Sequence, residues 1–169
     1  MRMKGILFDL DGTLVDTAPD LCGTIQDMQS DRGVDITPYR AMEHLASGGA
    51  RLLLKAGFGV EIHYPEFAAM RAEFLERYEA RIARESAIYS GIQPLLGEIL
   101  ARGAQWGIVT NKPYYLAEKL VHELGLEAAF VAHLGAFGDP VAQVQMGQLH
   151  GAGLTDLPEH VVGAVSGPG

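Results

Sequence analysis

Phe8-Asp9-Leu10-Asp11-Gly12-Thr13-Leu14-Val15-Asp16 sets two carboxylates, Asp9 and Asp11, directly after a short apolar run, Lys4-Gly5-Ile6-Leu7-Phe8. A continuous apolar run bounded by a turn suits a strand buried in a parallel sheet. In open parallel sheets the reactive crevice lies at the carboxyl ends of the strands. Both acids face such a crevice if the chain leaves the strand by a tight turn, and Gly12 supplies the freedom for one. Two close carboxylates attract a hard divalent cation, typically Mg²⁺ held by oxygen ligands. The competing reading is a strand end followed by an Asx turn. It suffices for a bare Asp-x-Asp-Gly, but not for the whole nine-residue string.

Working outward, Asp16-Thr17-Ala18-Pro19-Asp20 has the capping residue and early proline of a helix start. That helix runs to about Arg32, before Gly33. Pro38 opens a second helical stretch, broken near Ser47-Gly48-Gly49 and resumed from Arg51 to Ala56. Pro65 opens the most regular helix of the chain. Phe67, Met70, Phe74, Leu75, Tyr78 and Ile82 fall at helical spacing with Arg and Glu between them, a stripe suited to packing on another helix. Residues 92–101 form a further helix, ended by Arg102-Gly103. Gln105-Trp106-Gly107-Ile108-Val109-Thr110 reads as a second buried strand, with Trp106 in the core, and Pro113 to Leu124 as a helix ended by Gly125. Strand, helices, strand, helix is an α/β pattern. The residues between Asp16 and Ser86 hold only helices and read as a helical insertion.

The chain has 169 residues, 48% hydrophobic and 20% charged, the composition of a globular protein rather than a disordered one. Its formal net charge of -8 argues against a nucleic-acid binder. A single cysteine, Cys22, excludes an internal disulfide and fits a reducing, cytoplasmic setting. No apolar run approaches the roughly 18–20 residues of a membrane span, and the run after the basic start is too short for a secretory signal. The six histidines show no His-x-x-x-His spacing, so a zinc site is not expected. All thirteen Lys and Arg lie within residues 1–119, while residues 120–169 carry five acids and become rich in glycine.

The string from Phe8 to Asp16 resembles the first motif of the haloacid dehalogenase superfamily, Asp-x-Asp-Gly-Thr-Leu. Val109-Thr110-Asn111-Lys112-Pro113 resembles the second, a strand ending in Ser or Thr, in the form typical of the phosphoglycolate phosphatase branch. Ser47-Gly48-Gly49-Ala50-Arg51 and Glu73-Phe74-Leu75-Glu76-Arg77-Tyr78 are similar to bacterial members of that branch, some acting on phosphoglycolate and some on N-acetylmuramic acid 6-phosphate. The resemblance runs from residue 3 to about 130. It implies a Rossmann-like core with a parallel sheet (residues 1–15 and 87–169) and an inserted helical cap (residues 16–86). It also implies hydrolysis of a small phosphomonoester through an aspartyl-phosphate, with no nucleic-acid or membrane partner. Asp9 is then the nucleophile and Asp11 the acid/base. Mg²⁺ bridges Asp9, the backbone carbonyl of Asp11 and the phosphate. Thr110, with Gly12, Asn111 and Lys112, contacts the phosphate. Arg51 in the cap reaches a remote anionic group of the substrate.

Two features depart from the family pattern. No Lys or Arg follows Lys119, so the lysine of the third motif is missing. Ala136-Phe137-Gly138-Asp139 resembles the Gly-Asp of the fourth motif, which makes Asp139 a candidate metal ligand, but Gln143 stands where a second acid is expected. The interval between Thr110 and Asp139 is also short for the family. Either a segment carrying the lysine is deleted, or the chain past about residue 130 follows a shifted reading frame. The core is therefore expected to be altered or incomplete at its C-terminal part. A catalytically impaired relative stays open as an alternative, and so does a phosphomutase, which returns the phosphoryl group to a sugar.

Overall fold

The computed structural model describes residues 5–126, 131–133 and 145–147. The chain divides into two compact units. One contains Met1–Val15 and Ile88–Gly169; the other contains Asp16–Ala87.

The first unit is built on a four-stranded sheet of β1 (Gly5–Phe8), β4 (Gln105–Thr110), β5 (Val131–His133) and β6 (Gln145–Gly147), in that spatial order. β1, β4 and β5 are mutually parallel, as the α/β pattern predicts, and β6 runs antiparallel to β5. Phe8 stands opposite Ile108 in the register, so the two strands end at the same edge of the sheet. Trp106 is buried, and its ring meets Phe8 edge to face at 6.4 Å. α5 (Ile92–Ala101) packs on β4, and α6 (Tyr114–Glu123) packs on β5. Leu96 and Ile99 of α5, Ile108 of β4 and Leu116, Ala117, Leu120 and Val121 of α6 supply the core. Leu95 and Leu100 of α5 stay exposed. Asp139, the expected metal ligand of the fourth motif, lies outside the described residues.

The second unit is helical: α1 (Ala18–Asp31), α2 (Tyr39–Met42), a 3₁₀ segment (Glu43–Gly48), α3 (Gly49–Phe58) and α4 (Phe67–Arg81). α1, α3 and α4 pack on one another. Of the apolar stripe read from the sequence, Phe67, Phe74 and Tyr78 are buried, with Phe74 and Tyr78 stacked at 6.3 Å. Met70, Leu75 and Ile82 are only partly covered. Cys22 is fully buried on α1, and burial pushes its thiol up to about 11. The buried Gln29 amide joins three segments: it donates to the Gly57 carbonyl (2.7 Å) and the Thr37 hydroxyl (2.8 Å), and accepts the Thr37 N–H (2.9 Å).

The helical insertion is bounded by strands the periodicity did not reveal. β2 (Val15–Asp16) and β3 (Ala87–Ile88) form a separate two-stranded sheet. Among the described residues no helix is long and apolar enough to cross a membrane.

Candidate active site

The site begins where β1 ends. Leu10 and Leu14, both fully buried, pin a tight turn between them. The Leu10 carbonyl accepts the N–H groups of Thr13 (3.3 Å), Leu14 (3.1 Å) and Val15 (3.1 Å), and the Gly12 N–H donates to the Val15 carbonyl (2.9 Å). Gly12 has φ +81°, a backbone state that a side chain disfavours, which explains the glycine after the second acid. The turn fixes Asp9 and Asp11 relative to each other at the carboxyl end of the sheet.

Asp9 is partly exposed, and the Leu10 N–H donates to its Oδ1 at 2.7 Å. Burial holds its carboxyl above the ordinary 3.8, and the charge of Asp11 adds to the shift. The Leu10 N–H, the Thr110 hydroxyl and the Lys112 ammonium act the other way and do not cancel it. Asp9 is thus a carboxylate whose charge is incompletely compensated by its surroundings.

The neighbouring strand supplies the rest. Thr110, the last residue of β4, is 1% exposed. The Lys112 N–H donates to the Thr110 hydroxyl oxygen at 3.2 Å, which folds the chain back on the strand end. That turn carries the Lys112 side chain to Asp11, where Nζ sits 2.9 Å from Oδ1. The two side chains are 4% and 8% exposed. A buried ammonium is costly unless a carboxylate faces it, so the pair is mutually required. Asp9, Asp11, Thr110 and Lys112 therefore form one cluster, although Asp11 and Lys112 are 101 residues apart in the chain.

Two of the other expected site residues have less defined places. Asn111 is exposed between Thr110 and Lys112. Arg51 is exposed on α3, in the helical unit. The sequence singled out Lys112 but not its partner. Its place two residues beyond a strand-end threonine, on a strand parallel to β1, is the signal that points to the pairing.

The donor set suits a hard divalent cation. The Asp9 carboxylate and the Asp11 backbone carbonyl are both oxygen donors, and the charge that burial and Asp11 disfavour on Asp9 is what a dication relieves. Among the described residues no group of three or more His, Cys, Asp or Glu side chains comes together. Water and substrate oxygens can complete such a site, as they often do for Mg²⁺.

A family model described as haloacid dehalogenase-like hydrolase matches residues 3–159. The N-acetylmuramic acid 6-phosphate phosphatase of Pseudomonas aeruginosa is 43% identical over 125 residues, covering 74% of this chain and 55% of that protein. The phosphoglycolate phosphatase of Xanthomonas campestris is 36% identical over 140 residues, covering 83% of this chain and 62% of that protein. The crystal structure of a predicted phosphoglycolate phosphatase from Haemophilus somnus superposes with a TM-score of 0.63 at 26% identity, covering 75% of this chain and 59% of that one. The chain thus spans a little over half the length of these relatives.

Proposed function

Because this chain belongs to the haloacid dehalogenase-like hydrolases, we propose that it hydrolyses a small phosphomonoester through an aspartyl-phosphate, with Mg²⁺ as cofactor. The observation that carries this reading is the cluster of Asp9, Asp11, Thr110 and Lys112 at the carboxyl edge of the sheet. A lone carboxylate beside a phosphate dianion would only repel it. A carboxylate set among hydrogen-bond donors and a cation can approach it.

In the first step an Asp9 carboxylate oxygen attacks phosphorus. The bond from phosphorus to the ester oxygen breaks, and the Asp11 carboxyl gives its proton to the departing alkoxide. In the second step Asp11 takes a proton from water, whose oxygen attacks the phosphorus. The bond to Asp9 breaks, releasing inorganic phosphate and restoring the carboxylate. The same residue serves as acid and then as base, so one turn of chain handles both proton transfers. The Thr110 hydroxyl and the backbone N–H of Asn111 hold the phosphoryl oxygens where charge accumulates, while the Gly12 N–H is spent on the Val15 carbonyl. When bound, Mg²⁺ would be held by the Asp9 carboxylate and the Asp11 carbonyl oxygen and would offset the repulsion between nucleophile and substrate.

The relatives named as phosphoglycolate and N-acetylmuramic acid 6-phosphate phosphatases support a small acid or sugar phosphate as substrate. The helical unit is proposed as the cap, with Arg51 contacting the far anionic end of the substrate. A cytoplasmic setting agrees with the buried, unpaired Cys22. The absence of Lys and Arg from residues 120–169 favours a second reading, a family fold with little turnover.

Phosphate release from a panel that includes phosphoglycolate and a sugar 6-phosphate separates the two. The proposal expects release that requires Mg²⁺ and falls by at least about 10³-fold in Asp9→Asn. Folded protein that releases no phosphate above that variant would establish the inactive reading.

A further inference from the structure

We infer that Lys112 is a positioning residue that acts through Asp11, holding the acid/base carboxylate in place rather than gripping the phosphate itself. This inference rests on the acid/base assignment of Asp11 above. Three observations carry it. Lys112 is the buried lysine or arginine among the described residues, and its ammonium lies 2.9 Å from Asp11 Oδ1. Its backbone is tied to the Thr110 hydroxyl, so the side chain starts from a fixed point at the end of β4. Finally, residues 120–169 contain no lysine or arginine.

Asp11 lies within the turn after β1, and its side chain would otherwise be free to choose among rotamers. A charge-assisted hydrogen bond closed off from water selects one of them, and an acid/base group loses efficiency steeply when the oxygen that exchanges the proton is misplaced. Fixing the side chain from Lys112 also leaves the Asp11 backbone carbonyl available for another role. Lys112 thereby couples the two strand ends: β4 sets the position of a group that belongs to the loop after β1.

Kinetics and binding distinguish this role from a direct phosphate contact. Lys112→Met, Asp11→Asn and the double variant are compared with the unaltered protein on phosphoglycolate, with Asp9→Asn as the control for the underlying reaction. Positioning predicts that Lys112→Met lowers kcat by about 10²-fold while KM changes by less than about threefold. It also predicts that adding Lys112→Met to Asp11→Asn costs no further activity, because both changes remove one unit. A rise in KM at unchanged kcat, or two effects that multiply, overturns the inference. Lys112→Met leaves a buried carboxylate unpaired, which destabilises the fold, whereas the double variant removes both charges. Inorganic phosphate binding is therefore measured by calorimetry on Asp11→Asn and on the double variant. Equal affinities, within about twofold, support positioning; a loss beyond about tenfold in the double variant shows a direct phosphate contact and overturns it. If the unaltered protein and Asp9→Asn release phosphate equally, the reaction assigned to the site fails, and the phosphate-binding comparison still reads Lys112.

Discussion

Asp9 sits in a conflict that its neighbours leave unresolved. Burial and the charge of Asp11 disfavour its ionised form more strongly than the Leu10 N–H, Thr110 and Lys112 favour it. A carboxyl held above its ordinary 3.8 binds its proton more tightly in the folded chain than in the unfolded one. Stability is then lost as pH rises through the folded pKa. In metal-free buffer Asp9→Asn is therefore expected to raise the urea midpoint at neutral pH. The gain should vanish as the pH falls below 3.8, where Asp9 is protonated in both states. Equal midpoints at neutral pH would show that the charge is fully compensated. The two acids were legible in the sequence because they are neighbours after an apolar run. The pairing of Asp11 with Lys112 was not, because it spans 101 residues and depends on the parallel register of β1 and β4.

Among the elements, the helical unit is closed by a buried acid. Asp20, in the first turn of α1, is fully buried, and its carboxylate accepts the Glu85 N–H (3.0 Å), the Ser86 N–H (2.8 Å) and the Ser86 hydroxyl (2.6 Å). Arg81, at the end of α4, reaches Asp20 at 3.4 Å and also pairs with Asp27 and Glu85. A Cβ at Gly23 would run into that guanidinium, so the glycine leaves room for the Arg81 side chain over α1. Asp20→Ala leaves the buried Ser86 groups without an acceptor and is expected to cost about 3 kcal/mol in urea unfolding. A loss below about 1 kcal/mol would mean that these groups find other partners. The sequence marks Asp20 only as part of a helix start, since its partners lie more than sixty residues away. The long helices were readable from their periodicity. β2 and β3, two residues each, are too short to show alternation.

For the whole molecule, the family and the α/β core follow from two motifs on adjacent parallel strands, β1 and β4. What the sequence left open lies past residue 126, where short strands alone are described and β5 and β6 pair antiparallel. Three-residue strands carry too few side chains for a period to emerge, and the position of Asp139 falls outside the described residues. The chemistry proposed here requires only groups on β1, β4 and the turns that follow them. The proposed route takes the phosphoryl group through Asp9, and trapping the intermediate on that residue decides it. Turnover is quenched with acid during phosphoglycolate hydrolysis, and the digested protein is mapped by mass spectrometry. The expected result is one phosphoryl group, labile to hydroxylamine, on the peptide containing Asp9, and none in Asp9→Asn. Active protein that releases phosphate with no such adduct, or that carries it on another residue, would rule out Asp9 as the nucleophile.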